Sequence, residues 1–130
     1  MKYVKYTLAI ITFIFSLSLN AKEQIALEVV SYLDGKNLST ARIITTNGSP
    51  AEIALGQLAR LVIYSNAKDE NTTQLDMELY LSTDESAEIV AEPKISTENG
   101  KMATVEYQQK QGSPIFKFEI TPSIVDITSK

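Results

Sequence analysis

Residues 41–53 read ARIITTNGSPAEI and residues 93–105 read PKISTENGKMATV, so this chain of 130 residues carries a similar phrase twice. In each copy a run with β-branched residues precedes an Asn-Gly pair, and an alternating run follows it. Asn-Gly is typical of the two-residue type I′ turn, because that turn needs a positive φ at both central residues. The sequence therefore predicts a β-hairpin in each copy.

The two copies align at an offset of 52 positions, which superimposes Asn47-Gly48 on Asn99-Gly100. This repetition predicts a duplicated β-meander in a single β domain over residues 22–130. Its two similar halves would cover about 24–65 and 74–126. The other matched pairs are Arg42 with Lys94, Ile43 with Ile95, Thr45 with Thr97, Ala51 with Ala103 and Ile53 with Val105.

Outside the repeat, apolar and polar residues alternate along three further segments, and a period of two is typical of a half-buried strand. Turn residues such as Asp34-Gly35 separate strands of ordinary length. These features predict an all-β fold, an antiparallel β-sandwich or small barrel of about seven or eight strands. The predicted core is Ile25, Leu27, Val29, Ile43, Ile53, Leu75, Met77, Leu79, Ile95, Val105, Phe116, Phe118 and Ile120.

Residues 1–21, MKYVKYTLAIITFIFSLSLNA, have the pattern of a signal peptide. Two lysines precede a short apolar run, and the small Ala21 precedes a charged residue, which predicts cleavage after Ala21. The run is too short for a confident membrane span, which needs about 20 apolar residues. We expect a periplasmic or secreted bacterial protein with no stable membrane span after the leader is removed. The alternative is an uncleaved N-terminal anchor.

The charge of the chain is negative, at −4 for the whole sequence. Removal of the leader also removes Lys2 and Lys5, which leaves ten basic residues against sixteen acidic ones and a net charge of −6. An acidic surface repels phosphate groups, so the sequence predicts no nucleic-acid partner and no adhesion to an anionic membrane. The chain has no cysteine, so its stability depends on the core rather than on disulfides.

Catalytic side chains are scarce, because the chain lacks both histidine and cysteine. Ser-His-Asp and Cys-His arrangements and the usual zinc ligand sets are thereby excluded, and we predict no enzyme activity, no cofactor and no metal site. The acidic clusters in polar connections are interpreted as solvated loop charge. The alternative function is a carboxylate-dependent hydrolase of glycan or peptide, using Asp69, Glu70, Asp84, Glu85 or Glu88.

Three tyrosines, Tyr32, Tyr80 and Tyr107, lie in or beside predicted strands. A sheet face with tyrosines can bind peptide or glycan by stacking and hydrogen bonding, so the three form a candidate binding face. The structural alternative is that they complete cross-strand pairs or fill the edges of the core.

Residues 91–126 contain AEPKISTENGKMATVEY and, after a short loop, FKFEITPSIVD. This succession resembles the β-hairpin module in the C-terminal domain of bacterial secretins, the ring-forming outer-membrane channels of secretion and pilus systems. In that family a proline opens a strand, an Asn-Gly-type turn followed by alanine makes a hairpin, and a later strand ends in a proline-containing phrase. The resemblance implies such a module and not a full secretin, because the chain is too short for the ring-building domains. The matching residues are Pro93, Ile95, Asn99, Gly100, Ala103 and Pro122.

These observations predict an exported, non-catalytic envelope protein that binds a protein partner, or itself, through the edges of its β-strands. Edge pairing needs no signature residues, since the main chain supplies the hydrogen bonds. The terminal strands, 24–33 and 114–126, are the expected edges, and Pro122 would protect the second one from uncontrolled pairing. The remaining alternative is a free monomeric periplasmic domain.

Overall fold

The alternating segments form long antiparallel strands in two sheets, which confirms the predicted all-β class and its sandwich architecture. The computed structural model describes residues 23–82 and 87–125, and no helix occurs among them. The predicted leader and its cleavage site after Ala21 lie outside these residues. The strands are β1 (Gln24–Leu33), β2 (Lys36–Thr46), β3 (Pro50–Leu55), β4 (Ala59–Ala67), β5 (Thr72–Tyr80), β6 (Ile89–Ala91), β7 (Lys94–Glu98), β8 (Ala103–Gln108) and β9 (Ile115–Val125).

The first sheet has the order β2-β1-β9-β8, and the second has the order β3-β4-β5-β6, with β7 also paired to β5. The nine strands exceed the predicted seven or eight because β6 and β7 are two parts of one interrupted strand. The register is the same on both sides of the interruption, with Asp76 opposite Lys94 and Leu79 opposite Ala91. Pro93 lies in the gap, where its missing N–H and fixed φ interrupt the ladder.

The core consists of the inward side chains of both sheets, as the period of two predicted. Ten of the thirteen predicted core residues are buried, and Phe118, Leu75 and Ile63 are among the largest side chains with almost no exposure. The other three predicted residues, Ile43, Ile95 and Val105, are half-buried and pack against the core. They are more exposed because β2, β7 and β8 lie at the sides of their sheets.

The predicted Asn-Gly hairpins are wrong. The strands before and after each Asn-Gly pair lie in different sheets: β2 and β8 belong to the first, and β3 and β7 to the second. Each pair is therefore a corner between sheets, which we call the first corner (46–49) and the second corner (98–101). The turn type also differs from type I′, because Gly48 and Gly100 have positive φ (87° and 88°) but neither asparagine does. A positive φ at the second central residue alone is the pattern of a type II turn.

At each corner, one backbone N–H group donates to the first sheet and another donates to the second. The N–H of Asn47 donates to the carbonyl of Glu23 beside β1 (2.7 Å), and the N–H of Gly48 donates to Ser65 in β4 (2.7 Å). At the second corner the N–H of Asn99 donates to Asn71 beside β5 (2.7 Å), and that of Gly100 to Pro122 in β9 (2.8 Å). The two copies of the repeated phrase thus have the same structural role, which is to join one sheet to the other.

The replacement Gly100→Val is expected to lower the free energy of unfolding by about 1–2 kcal/mol, because a β-branched residue resists a positive φ. Gly100 has a φ of +88°, and a Cβ at this position would have no heavy atom within 4 Å, so the backbone conformation alone causes the loss. Urea unfolding followed by circular dichroism measures it. Gly100→Asn is the matched control, since asparagine tolerates positive φ better. Equal stability of the valine variant and the wild type would contradict the corner geometry.

The true two-residue hairpin with positive φ at both central positions is at Asp34-Gly35, where φ is 50° and 81°. It joins β1 to β2, which pair along their length apart from a bulge near Ser31. Asp34 also fastens this turn to β9, because its N–H donates to the Ile115 carbonyl (2.8 Å) and its carboxylate accepts from the Ile115 N–H (2.9 Å).

The expectation that the terminal strands are sheet edges is wrong. β1 and β9 pair with each other in the centre of the first sheet, with Gln24 opposite Val125 and Leu33 opposite Phe116. Pro122 therefore does not protect an edge. Its missing donor is tolerated because β8 pairs with β9 only as far as Ile120, so no ladder partner faces Pro122 on that side.

Within residues 23–82 and 87–125 there is no helix with the length and apolar character needed to cross a membrane.

Candidate functional site

The strands at the sides of the sandwich have a free edge. Hydrogen bonds at the two ends of β9 show which of its backbone groups point toward β8 and which point toward β1. The carbonyl of Pro122 accepts from Gly100 on the β8 side, whereas the carbonyl of Ile115 accepts from Asp34 on the β1 side. Backbone groups of successive residues point to opposite sides of a strand, so the even-numbered residues of β9 bond to β8.

The same alternation fixes the free edge of β8. The residues opposite the even-numbered residues of β9 are Ala103, Val105 and Tyr107, and these take the ladder hydrogen bonds. The intervening residues direct their N–H and C=O groups away from β9, where no other described strand pairs with them. These free-edge residues of β8 are Thr104, Glu106 and Gln108.

Beside this edge the two sheets separate, and we call the gap between β8 and the interrupted strand β6–β7 the open seam. A cavity of about 300 Å³ lies in it. Its floor consists of Leu61, Leu79 and Phe118, which have exposures of 1%, 2% and 0%. The cavity therefore leads from the surface directly to the hydrophobic core.

The walls of the cavity come from both sides of the open seam. Half-buried Val105 and Tyr107 line it from β8, and Ala91 and Pro93 line it from the interrupted strand. The carbonyl of Pro93 accepts a hydrogen bond from the N–H of Met77 (2.9 Å), which holds the bend against β5. The interrupted strand thus remains attached to its sheet at Pro93.

Two acidic residues adjoin the cavity, and their side chains lie on the outer faces of the two sheets. Glu92 and Glu106 line it, and both residues are exposed. Neither forms an ion pair or a side-chain hydrogen bond with any residue in the described part of the chain. Lys117, opposite Glu106 on β9, pairs instead with Glu119 at 3.6 Å. An apolar cavity flanked by unpaired carboxylates favours a segment that carries apolar side chains on one face and a positive charge on the other.

The structure does not bring the three tyrosines of the predicted binding face together. Tyr32 lies on the outer face of the first sheet, Tyr80 on the outer face of the second, and Tyr107 on the inner face of β8. Only Tyr107 contributes to the cavity. The prediction failed because strand periodicity assigns a residue to a face of its own strand but does not tell which sheet that strand joins.

The two outer tyrosines instead complete local pairs. The hydroxyl of Tyr32 donates to Glu119 (3.1 Å), and this hydrogen bond together with partial burial raises the pKa of Tyr32 above 10.0. The hydroxyl of Tyr80 donates to Glu78 (3.0 Å), and the guanidinium of Arg60 lies 4.1 Å from the centre of its ring. Partial burial is the main cause that raises the pKa of Tyr80 above 10.0, and the hydrogen bond to Glu78 is the second. Such contacts stabilise the outer faces of the two sheets.

Of the carboxylates considered for catalysis, Asp69 and Glu70 lie in the turn between β4 and β5. The carboxylate of Asp69 accepts from the N–H groups of Asn71 (2.7 Å) and Thr72 (2.9 Å), so it shapes the turn between β4 and β5. Asp84 and Glu85 lie outside the described residues, and Glu88 lies just before β6. Among the described residues no group of three His, Cys, Asp or Glu side chains could hold a metal ion.

The chain matches no protein-family model, no curated protein and no solved structure.

Sequence reasoning put Tyr107 in a candidate binding face and Val105 in the core, and it missed Glu92, Glu106 and Ala91. One local signal was present, since Pro93 interrupts an otherwise strand-like stretch and predicts an irregular edge. The floor of the cavity carried no such signal, because a buried leucine beside a cavity has the same sequence pattern as one in a filled core.

Proposed function

We propose that this chain is a non-catalytic protein-binding module of the bacterial cell envelope, which binds an extended segment of a partner along the free edge of β8. The observation that carries the proposal is the open seam, where unpaired backbone groups of β8 adjoin an apolar cavity. In strand addition the main chain supplies affinity, and pockets for alternate side chains supply selectivity.

The edge of β8 supplies the main-chain part of such binding. Thr104, Glu106 and Gln108 offer donors and acceptors at every second residue, which is the spacing that an added strand requires. The cavity supplies the pocket on the inner side of that edge. At about 300 Å³ it lies at the lower limit of the roughly 300–1,000 Å³ typical of small-molecule pockets. It therefore suits anchoring side chains of a peptide better than a whole drug-sized ligand.

The cellular location in this proposal rests on the sequence of residues 1–21, whose charged start, apolar run and terminal Ala21 have the pattern of a bacterial export signal. A non-catalytic role agrees with the lack of histidine and cysteine in the whole chain.

Selection of random peptides on the immobilised protein tests the binding proposal. Enriched peptides are expected to be β-prone, to bind the wild type by fluorescence polarisation, and to lose at least tenfold in affinity for Thr104→Pro. Proline at this position removes an edge-facing donor and leaves the β8–β9 ladder intact.

Ala54→Pro is the matched control. The Gly48 N–H bonds to the Ser65 carbonyl on the β3 side of β4, so Ala54 directs its N–H to the edge of β3, away from the open seam. Both variants should keep their thermal stability close to that of the wild type. Equal peptide affinity of the two proline variants, or the absence of any enriched peptide, would overturn the proposed function.

A further inference from the structure

The strand that binds at the open seam must meet two different environments, because its side chains alternate between the faces of the sheet. Glu106 points to the outer face of the first sheet. It lies opposite Lys117 of β9, whose chain neighbours Phe116 and Phe118 are buried. The neighbours of Glu106 in β8, Val105 and Tyr107, point inward and line the cavity.

From this alternation we infer that the partner segment carries an apolar-basic-apolar triplet, with the basic residue opposite Glu106 and the two apolar side chains in the cavity. The inference rests on the proposed addition of a strand to β8. Glu106 directs its N–H and C=O to the open edge, so an added antiparallel residue opposite it exchanges both hydrogen bonds and shares its outer face. The two residues beside that one then point inward.

The charge on the outer face favours lysine or arginine at the central position. Glu106 and, across the seam, Glu92 present carboxylates that no described cation neutralises by an ion pair. The cation directly opposite Glu106 is engaged elsewhere, since Lys117 pairs with Glu119 (3.6 Å) and lies 4.8 Å from the Tyr32 ring centre. Opposite charges in directly paired positions stabilise an added strand, and like charges destabilise it.

The nature of the cavity favours apolar residues on both sides of the basic one. Leu61, Leu79 and Phe118 form its floor and have no side-chain polar atom. A polar side chain placed there would lose its water without gaining a hydrogen bond from the floor.

Short peptides with one varied triplet test this inference directly. Seven-residue peptides with blocked ends and threonine-rich flanks would carry Val-Lys-Val, Val-Gln-Val, Val-Glu-Val or Thr-Lys-Thr at the centre. Fluorescence polarisation with the full chain is expected to rank the valine peptides in the order Lys, Gln, Glu, with about a 3- to 30-fold difference between the first and the last. Thr-Lys-Thr is expected to bind at least tenfold more weakly than Val-Lys-Val.

Two pairs of variants locate the effect. Glu106→Gln is expected to reduce the preference for lysine over glutamate, whereas Glu28→Gln, an exposed carboxylate on β1, is expected to preserve it. Ala91→Leu, which fills the cavity from its wall, is expected to weaken Val-Lys-Val at least tenfold, whereas Ala54→Leu on the exposed edge of β3 is expected to leave it unchanged. Thermal unfolding of each variant checks that the fold is retained.

Different results would overturn the triplet, the role of the cavity or the proposed function itself. Equal affinity for the Lys, Gln and Glu peptides, with the loss in Thr104→Pro preserved, would overturn the triplet and leave strand addition in place. Equal binding of Thr-Lys-Thr would overturn the role of the cavity. Absence of binding by every peptide, including those from the random selection, would overturn the proposed function as well. Self-association that lysine peptides do not inhibit would assign the edge to a second copy of the chain and overturn the inference.

Discussion

Phe118→Ala is expected to lower the free energy of unfolding by about 3–5 kcal/mol, the largest single effect that we predict for this chain. Phe118 is 0% exposed and lies in β9, opposite Ser31 of β1 and Val105 of β8. Its ring is parallel to that of Phe116, with 6.4 Å between the centroids. Truncation removes this packing and extends the cavity of the open seam into the core, where neighbouring strands cannot move in to fill the space.

Urea unfolding followed by circular dichroism gives the change in free energy. The matched control is Ile115→Ala in the same strand, where the side chain is 40% exposed, so its truncation should cost less than about 1 kcal/mol. If the two variants lose the same stability, Phe118 is not the centre of the packing in the first sheet.

The features of the fold that followed from the sequence are those that depend on neighbouring residues. Alternation along β5 puts Leu75, Met77 and Leu79 on one face whatever the strand pairs with, and all three are buried. The same reasoning predicted full burial for Ile43 and Val105, which are only half-buried. Burial at the side of a sheet depends on how closely the other sheet approaches.

The features that the sequence did not reveal depend on distant contacts. A local turn preference predicted hairpins at both Asn-Gly pairs, yet the asparagine side chains bond far along the chain. Asn47 accepts from the N–H of Ala67, and Asn99 donates to the carbonyl of Glu70. These contacts, 20 and 29 residues apart, hold both corners against the second sheet, so the chain crosses between the sheets instead of turning back along the preceding strand.

The position of the free edge also could not be predicted from the sequence, because β1 and β9 pair with each other. Gln24 of β1 pairs with Val125 of β9, and no local pattern identifies a partner at that separation. Once β1 and β9 occupy the centre of the first sheet, β8 must lie at its side. The candidate binding edge therefore results from the pairing of β1 with β9, which the periodicity of the sequence does not predict.

The second large effect is expected at the second corner, where Asn99→Ala should lower the free energy of unfolding by about 2–3 kcal/mol. The Asn99 amide accepts from the hydroxyl of Thr73 (2.6 Å) and donates to the carbonyl of Glu70 (2.9 Å). Thr73 is 0% exposed, so its hydroxyl would lose its partner without access to water. Asn99 does not have a positive φ, so alanine can adopt the same backbone and the measured loss reflects the side chain.

Asn47→Ala is the matched variant at the first corner, and it should cost less, about 1 kcal/mol, because Asn47 provides only the acceptor for the N–H of Ala67 (2.9 Å). A double-mutant cycle with Thr73→Val separates the buried bond from the rest. Valine removes the stranded hydroxyl, so Asn99→Ala should be clearly less costly in the Thr73→Val background than in the wild type. Additive losses in this cycle would show that the hydroxyl of Thr73 does not depend on Asn99, and the corner would then owe its stability to its backbone hydrogen bonds alone.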